Sequence, residues 1–306
     1  MAPQPRIERL ERKYSNVQYR YLHNATLRER GFHMCRNQAV RSVSLHHLTM
    51  LRADPFELVD AAAVGGFDRC GVRIVAPDPD QTVFDLVGDT AMRTKFVKHL
   101  ASSGVSILDF EAIWLREDTD VKALVPALEA AAEMGSDYVL TVGYDFDIPR
   151  LTDTFGRLAD AADRFGLTLP LEFITYSAVP TLFDAVALAE SVGRDNVSIL
   201  IDSLQFFRAG AEFDVLATIP ESRLPYVQIS DGPALGPTGI DALRYEARSA
   251  RMVPGEGELD LRRLLASLPV NLPLSVETPN LELASLSFAD AAIRLREATR
   301  TLVASI

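Results

Sequence analysis

Four side chains in the second half of this 306-residue sequence could act on one centre: Glu172 in the run TLPLEF, Asp202 in VSILID, Gln228 in YVQIS and Glu277 in LSVE. Each sits at or near the end of a short run that is otherwise aliphatic or β-branched. An ionised side chain in such a setting costs free energy unless it is paired or coordinates a cation. Repetition on consecutive runs makes one shared cation the simplest reading. Three carboxylates and one amide oxygen form an all-oxygen set, which suits one hard divalent ion, Mn²⁺ or Mg²⁺, better than Zn²⁺. The alternative for any one of the acids is a cap for the helix that follows. It weakens for the four together, because they are embedded in the runs instead of standing in loops.

The five histidines, at 23, 33, 46, 47 and 99, all precede the acidic runs, so a zinc nuclease drawing several imidazoles from later strands lacks its ligands. His46 and His47 follow the first run. His46 is placed among the substrate-facing residues, with a surface or supporting position open for either. His99 lies in a helical pattern and reads as structural; His23 and His33 are given no role. Glu111 and Trp114 are expected to line the substrate pocket, a capping role for Glu111 remaining the alternative. Arg251 suits an anionic or polyhydroxylated ligand, with an ion pair to Glu246 or Glu256 as its alternative. Arg208 in QFFRAG is a second arginine for which a capping or interface role is open.

The elements that must position these residues repeat with one period. Short apolar runs begin at 42, 71, 105, 138, 168, 197, 226 and 274, separated by 29, 34, 33, 30, 29, 29 and 48 residues, with Ala/Leu-rich stretches of helical spacing between them. Eight strands joined by crossovers of that length predict a single (β/α)₈ TIM barrel, since each parallel connection needs a helix to return the chain. An open doubly wound sheet is the competing architecture, but no GxGxxG or GxxxxGKS follows any run. Asp54 and Pro55 predict a capped helix that leaves at Gly65–Gly66, Gly193 predicts a left-handed helix end, and Pro126 places a helix start within Val121–Met134. The third strand is expected to end at Phe110. The long seventh gap holds GPALGPTG, a charged stretch and VPGEGE, and reads as an ordered loop serving as lid or substrate wall.

Composition bounds the rest. With 48% apolar and 24% charged residues the chain has material for a large core, which excludes disorder as its main state. The excess of 42 acidic over 31 basic residues repels phosphate backbones and anionic membranes, so neither nucleic acid nor membrane is expected as a partner. Two cysteines, Cys35 and Cys70, are too few for a disulfide scaffold, and no stretch approaches the roughly 18 apolar residues of a span. A cytoplasmic protein is expected. Residues 1–33 carry seven basic and three acidic side chains, a net +4, against −15 for the remainder. Residues 1–41 are therefore set apart as an extension, an appended arm or a product of a start site upstream of Met34, and 42–306 as the catalytic domain.

The segments SLHHLTMLRADPFELVDAAAVGGFD, LEFITYSAVPT, ILIDSLQFFRAG, YVQISDGP, RMVPGEGELDL and SVETPN resemble the sugar phosphate isomerase/epimerase family of xylose isomerase-like barrels. That family includes tagatose-type 3-epimerases, inosose dehydratases and 3-dehydroshikimate dehydratases. The resemblance runs from about residue 42 to the end. It implies one divalent metal held by Glu172, Asp202, Gln228 and Glu277, the two glutamates doubling as acid and base, and Arg251 touching substrate. The activity implied is isomerisation or epimerisation of a ketose, inosose or related cyclic hydroxy-ketone through a metal-stabilised enediolate, in a homo-oligomer. Dehydration by the same route and a non-catalytic barrel are the alternatives. One position departs: where many members have a histidine three residues after the strand-six aspartate, this chain has Gln205, which can hydrogen-bond a substrate but cannot shuttle a proton near neutral pH.

Overall fold

The computed structural model describes residues 41–77 and 81–306. The expected extension, with His23, His33 and Cys35, lies outside the described residues apart from Arg41. Eight parallel strands close a barrel in sequence order: β1 (Val43–Leu45), β2 (Arg69–Arg73), β3 (Ser106–Leu115), β4 (Tyr138–Gly143), β5 (Leu169–Glu172), β6 (Val197–Asp202), β7 (Val227–Ile229) and β8 (Leu274–Val276). β1 pairs with both β2 and β8, which completes the ring.

Helices return the chain after each strand: α1 (Pro55–Gly65), α2 (Thr90–Ser103), α3 (Val121–Glu133), α4 (Ile148–Asp163) and α5 (Leu182–Val192). Two short helices, α6 (Ser203–Arg208) and α7 (Phe213–Leu216), follow β6; α8 (Ile240–Ser249) and α9 (Leu261–Ala266) follow β7; α10 (Phe288–Ala304) follows β8. α1 begins with a full capping box between Asp54 and Glu57, with Pro55 in its first turn. It ends at Gly66, whose φ of 74° is in the left-handed region that favours glycine, as does Gly193 at the end of α5.

Two expectations are corrected. α3 starts at Val121 under an Asp120 cap and carries Pro126 in its interior. Burial of Val121, Ala127, Leu128, Ala130 and Ala131 against the barrel outweighs the one backbone bond that a proline forfeits. β3 does not stop at Phe110 but runs to Leu115, because its pairing with β4 continues as far as Gly143, and it is bulged twice. Against β2, Cys70 pairs with Ile107 and Val72 with Phe110; against β4, Phe110 pairs with Val139 and Ile113 with Thr141. β3 spends one extra residue each time, which breaks strict alternation and re-aims side chains. Consequently Leu108 packs in the lumen cluster with Tyr226 while the next residue, Asp109, accepts a hydrogen bond from the same tyrosine. Glu111 and Ala112, also adjacent, both line the cavity described below.

Most of the core lies between strands and helices. The smaller cluster of Leu108, Ala112, Leu140, Leu200 and Tyr226 fills the barrel lumen beneath the strand ends. Gly71 is required here: a Cβ built on it would stand 2.4 Å from Asp109 Oδ1. No helix among the described residues is long and apolar enough to cross a membrane.

Candidate active site

A cavity of about 660 Å³, counting its open mouth, lies over the carboxyl ends of the strands. His46, Glu111, Trp114, Glu172, Gln205, Arg251 and Glu277 all line it. Glu172 closes β5, Asp202 closes β6, Gln228 is the middle residue of β7 and Glu277 follows β8. Parallel register brings them round the ring: Asp202 is level with Gln228, and Gln228 with Ser275, two residues before Glu277. Ligand oxygens of Glu172, Asp202 and Glu277 lie within 4.8 Å of one another, all three residues buried. Gln228 is fully buried beside them.

Asp202 has two occupations. Its Oδ1 accepts the Gln205 N–H at 2.8 Å and caps α6, while its Oδ2 accepts from Arg251 Nη1 at 2.6 Å. The cap and the site are thus compatible in one residue. The buried Arg251 guanidinium also stands 3.3 Å from Glu277 Oε2. It is not paired with Glu246 or Glu256, which bind Arg208 and Arg294.

Whether these side chains fit a divalent cation is tested by the acceptors they leave over. Gln228 Oε1 is buried without a hydrogen-bond partner, Glu277 Oε2 has no hydrogen bond and only the Arg251 charge 3.3 Å away, and buried polar atoms are nearly always satisfied. Orphaned oxygens in an all-oxygen donor set fit a hard cation. The charges agree. Burial pushes the Glu172 carboxyl well above the usual range, and Glu277 and Asp202 push it further than Arg251 can offset. Burial likewise raises Glu277, with Arg251 opposing and Asp202 and Glu111 adding. A cation among them would relieve both effects.

Glu111 behaves oppositely. Burial works to raise it, but His46, Arg73 and His47 together hold its carboxyl below the usual range. Arg73 Nη2 donates to its Oε2 at 3.0 Å, and His46 Nδ1 lies 3.1 Å from its Oε1. Glu111 therefore faces the lumen as a paired carboxylate and caps none of α1–α10, although its Oε1 also accepts the Leu48 N–H, at 3.3 Å, in the short 3₁₀ turn His47–Met50. His47 turns away: its Nδ1 accepts the Arg73 N–H at 2.9 Å and its Nε2 donates to Ala53 O at 2.9 Å. Below His46, the buried Asp109 pairs with Tyr226 at 2.8 Å.

Gln205, on the first turn of α6, accepts the Thr175 N–H through Oε1 at 3.3 Å, which leaves its amide N–H₂ for the cavity. Asp231, one strand end beyond Gln228, is a structural anchor: its carboxylate accepts N–H groups of Gly232, Gly255 and Leu259 and so staples the segment after β7. That segment, expected to be a loop, contains α8. The buried pair Arg208–Glu246, 2.6 Å, ties α8 to α6, and Ala247, Arg248 and Arg251 give the cavity wall.

A family model described as a xylose isomerase-like TIM barrel matches residues 59–300. The chain belongs to this family. Among xylose isomerase-like barrels it is 23% identical over 257 residues to an inosose isomerase of Bacillus velezensis, covering 78% of this chain and 88% of that one. It is 29% identical over 241 residues to a 3-dehydroshikimate dehydratase of Pseudomonas aeruginosa, covering 73% of this chain and only 36% of that protein. The same barrel is seen in the crystal structure of the IOLI protein with a bound zinc atom, at a TM-score of 0.71 and 19% identity over 86% of this chain and 98% of that one. Both curated relatives are enzymes.

Sequence reasoning missed Asp109 and Tyr226, and two arginines at the mouth, Arg244 and Arg248. The 244, 248, 251 spacing of arginines was a readable signal, since residues four apart share a helix face.

Proposed function

We propose that the protein is a divalent-metal-dependent isomerase or epimerase of a ketose, inosose or related cyclic hydroxy-ketone. The observation that carries this reading is the convergence of Glu172 and Glu277, two carboxyls with raised pKa values, on one buried point beside Asp202. The cation would be held by Glu172, Asp202, Gln228 and Glu277, and when bound it supplies Lewis-acid polarisation of a carbonyl and its neighbouring hydroxyl. The all-oxygen donors favour Mn²⁺ or Mg²⁺.

The side chains do the rest. One glutamate takes the α-proton of the hydroxy-ketone and leaves an enediolate; the other, across the substrate, returns a proton. Return to the opposite face of the same carbon inverts it, and return to the neighbouring carbon moves the carbonyl. Gln205 offers its amide N–H₂ to a substrate oxygen. Glu111, ionised against Arg73, accepts a substrate hydroxyl, and Trp114 walls the ring face.

Dehydration is the second reading, favoured by the similarity to the Pseudomonas aeruginosa dehydratase. It needs the same proton removal followed by loss of a β-hydroxyl as water. Incubation of the metal-loaded protein with ketoses, inososes and cyclic hydroxy-ketones in D₂O tests both. Deuterium at the α-carbon of recovered ketone or its isomer supports isomerisation, an unsaturated product supports dehydration, and no exchange with any compound defeats both.

A further inference from the structure

Two arginines at the cavity mouth have no acidic partner among the described residues, although the chain carries 42 acidic against 31 basic side chains. Arg248 lines the cavity and stacks over Trp114, its guanidinium carbon 5.8 Å from the ring centroid. Arg244, one turn earlier on α8, stacks over Tyr176 at 5.4 Å and donates to Tyr144 Oη at 2.7 Å. Neighbouring acids are engaged elsewhere: Glu246 by Arg208, Glu256 by Arg294, Glu258 by the Ala234 N–H and Asp231 by its three backbone donors. The other cavity arginines are also committed, Arg73 to Glu111 and Arg251 to Asp202.

A guanidinium over an aromatic ring keeps donors to spare: Arg244 spends one on Tyr144 Oη, and the N–H groups left on the two arginines match the oxygens of a carboxylate or a phosphate. The two stand one helical turn apart on the same face of α8, Arg244 half-buried and Arg248 exposed, so an anion at the mouth can meet both. We propose that Arg244 and Arg248 form an anion subsite at the mouth, so that the substrate is an acidic polyhydroxylated ketone rather than a neutral sugar. This rests on reading the cavity as a hydroxy-ketone site, and it adds the charge that the substrate carries. The reacting carbonyl lies at the carboxylate cluster in the floor, and the anionic substituent lies outward along the Trp114 wall.

Trp114 is the sole tryptophan of the chain, so its fluorescence reports this wall alone. Mg²⁺-loaded protein is titrated with two matched pairs: quinate against methyl quinate, and myo-inositol 1-phosphate against myo-inositol. The anionic member of at least one pair should bind about tenfold tighter or more, the scale of a charge-assisted bidentate contact. The preference should vanish in Arg244→Gln/Arg248→Gln, with a melting temperature near wild type as the folding control, and return in part in Arg248→Lys. A preference only within the quinate pair assigns a carboxylate, and one only within the inositol pair a phosphate. Equal affinities within both pairs, no saturable binding of any of the four, or a preference that survives in the double variant overturns the subsite. These are equilibrium measurements, so they fail separately from the proposed reaction. Loss of the preference with retained exchange in D₂O removes only the anionic substrate, and absent exchange with a retained preference removes only the reaction.

Discussion

His46 Nε2 and Gln228 Nε2 lie 3.1 Å apart in the cavity floor. The amide N–H₂ donates to that imidazole nitrogen, and His46 Nδ1 lies 3.1 Å from Glu111 Oε1, 3.4 Å from Glu277 Oε1 and 3.3 Å from the Leu48 N–H. This network holds the Gln228 amide with its oxygen turned away from the histidine and unpartnered. His46 thereby orients the one neutral donor of the proposed cation site. His46→Phe removes the acceptor and lets the amide turn, so Mn²⁺ affinity measured by calorimetry should fall about 10- to 100-fold, the usual scale for losing a group that orients a ligand. Unchanged affinity would detach His46 from the site.

Wild-type protein should hold about one Mn²⁺ or Mg²⁺ per chain, and Glu172→Gln combined with Asp202→Asn should leave little bound. The motive is the convergence of their oxygens with those of Glu277. Elemental analysis of both proteins decides it, and undiminished occupancy in the double variant takes these residues out of the site.

Gln205 and Glu277 should separate kinetically. Gln205→Ala removes a hydrogen bond to a substrate oxygen and should impair binding and turnover moderately. Glu277→Gln should cut α-proton exchange by about 10²-fold or more, the scale of losing a positioned acid or base. Both variants are compared after metal analysis, because Glu277 is also a proposed ligand. Wild-type exchange by metal-loaded Glu277→Gln would end the two-glutamate mechanism.

Asp109 predicts a pH-dependent stability. Burial pushes its carboxyl from 3.8 up to about 6, against the pull of His46 and the Tyr226 hydrogen bond. A folded-state pKa above the unfolded one means stability that is full below pH 3.8 and is lost as the pH rises through about 6. Asp109→Asn does not titrate, so its melting temperature relative to wild type should improve between about pH 4.5 and about pH 8, with an upper bound of about 3 kcal/mol. A difference that stays flat over that range would show that Asp109 is not raised.

The barrel and the convergence of the proposed donors were legible because two signals are local: a run of apolar residues spaced by one helical crossover, and a polar residue where such a run stops. Glu172, Asp202, Gln228 and Glu277 all announce themselves this way. Asp109 did not, since in VSILDF it reads as a strand end, and only the two bulges in β3 set it in the lumen under His46. Bulges leave no mark in alternation, because they are settled by register with β2 and β4. Arg244 and Arg248 were hidden differently. α8 was read as loop among Gly and Pro, and what holds it in place is the pairing of Arg208 with Glu246, partners 38 residues apart.

The seam between β1 and β8 sets when the site can exist during folding. His46 donates its backbone N–H to Val276 O at 3.1 Å, and its ring meets Gln228 from 182 residues away. Neither contact is available to a chain that has folded only its leading strands, however well formed those are. Closure of so long a loop belongs to the late, slow part of assembly. Uptake of the proposed cation would therefore serve as a clock for ring closure: in refolding experiments it should lag helix formation and coincide with the last rise in lumen packing. A partly wound intermediate, with its carboxylates still far apart, would leave the ion in solution.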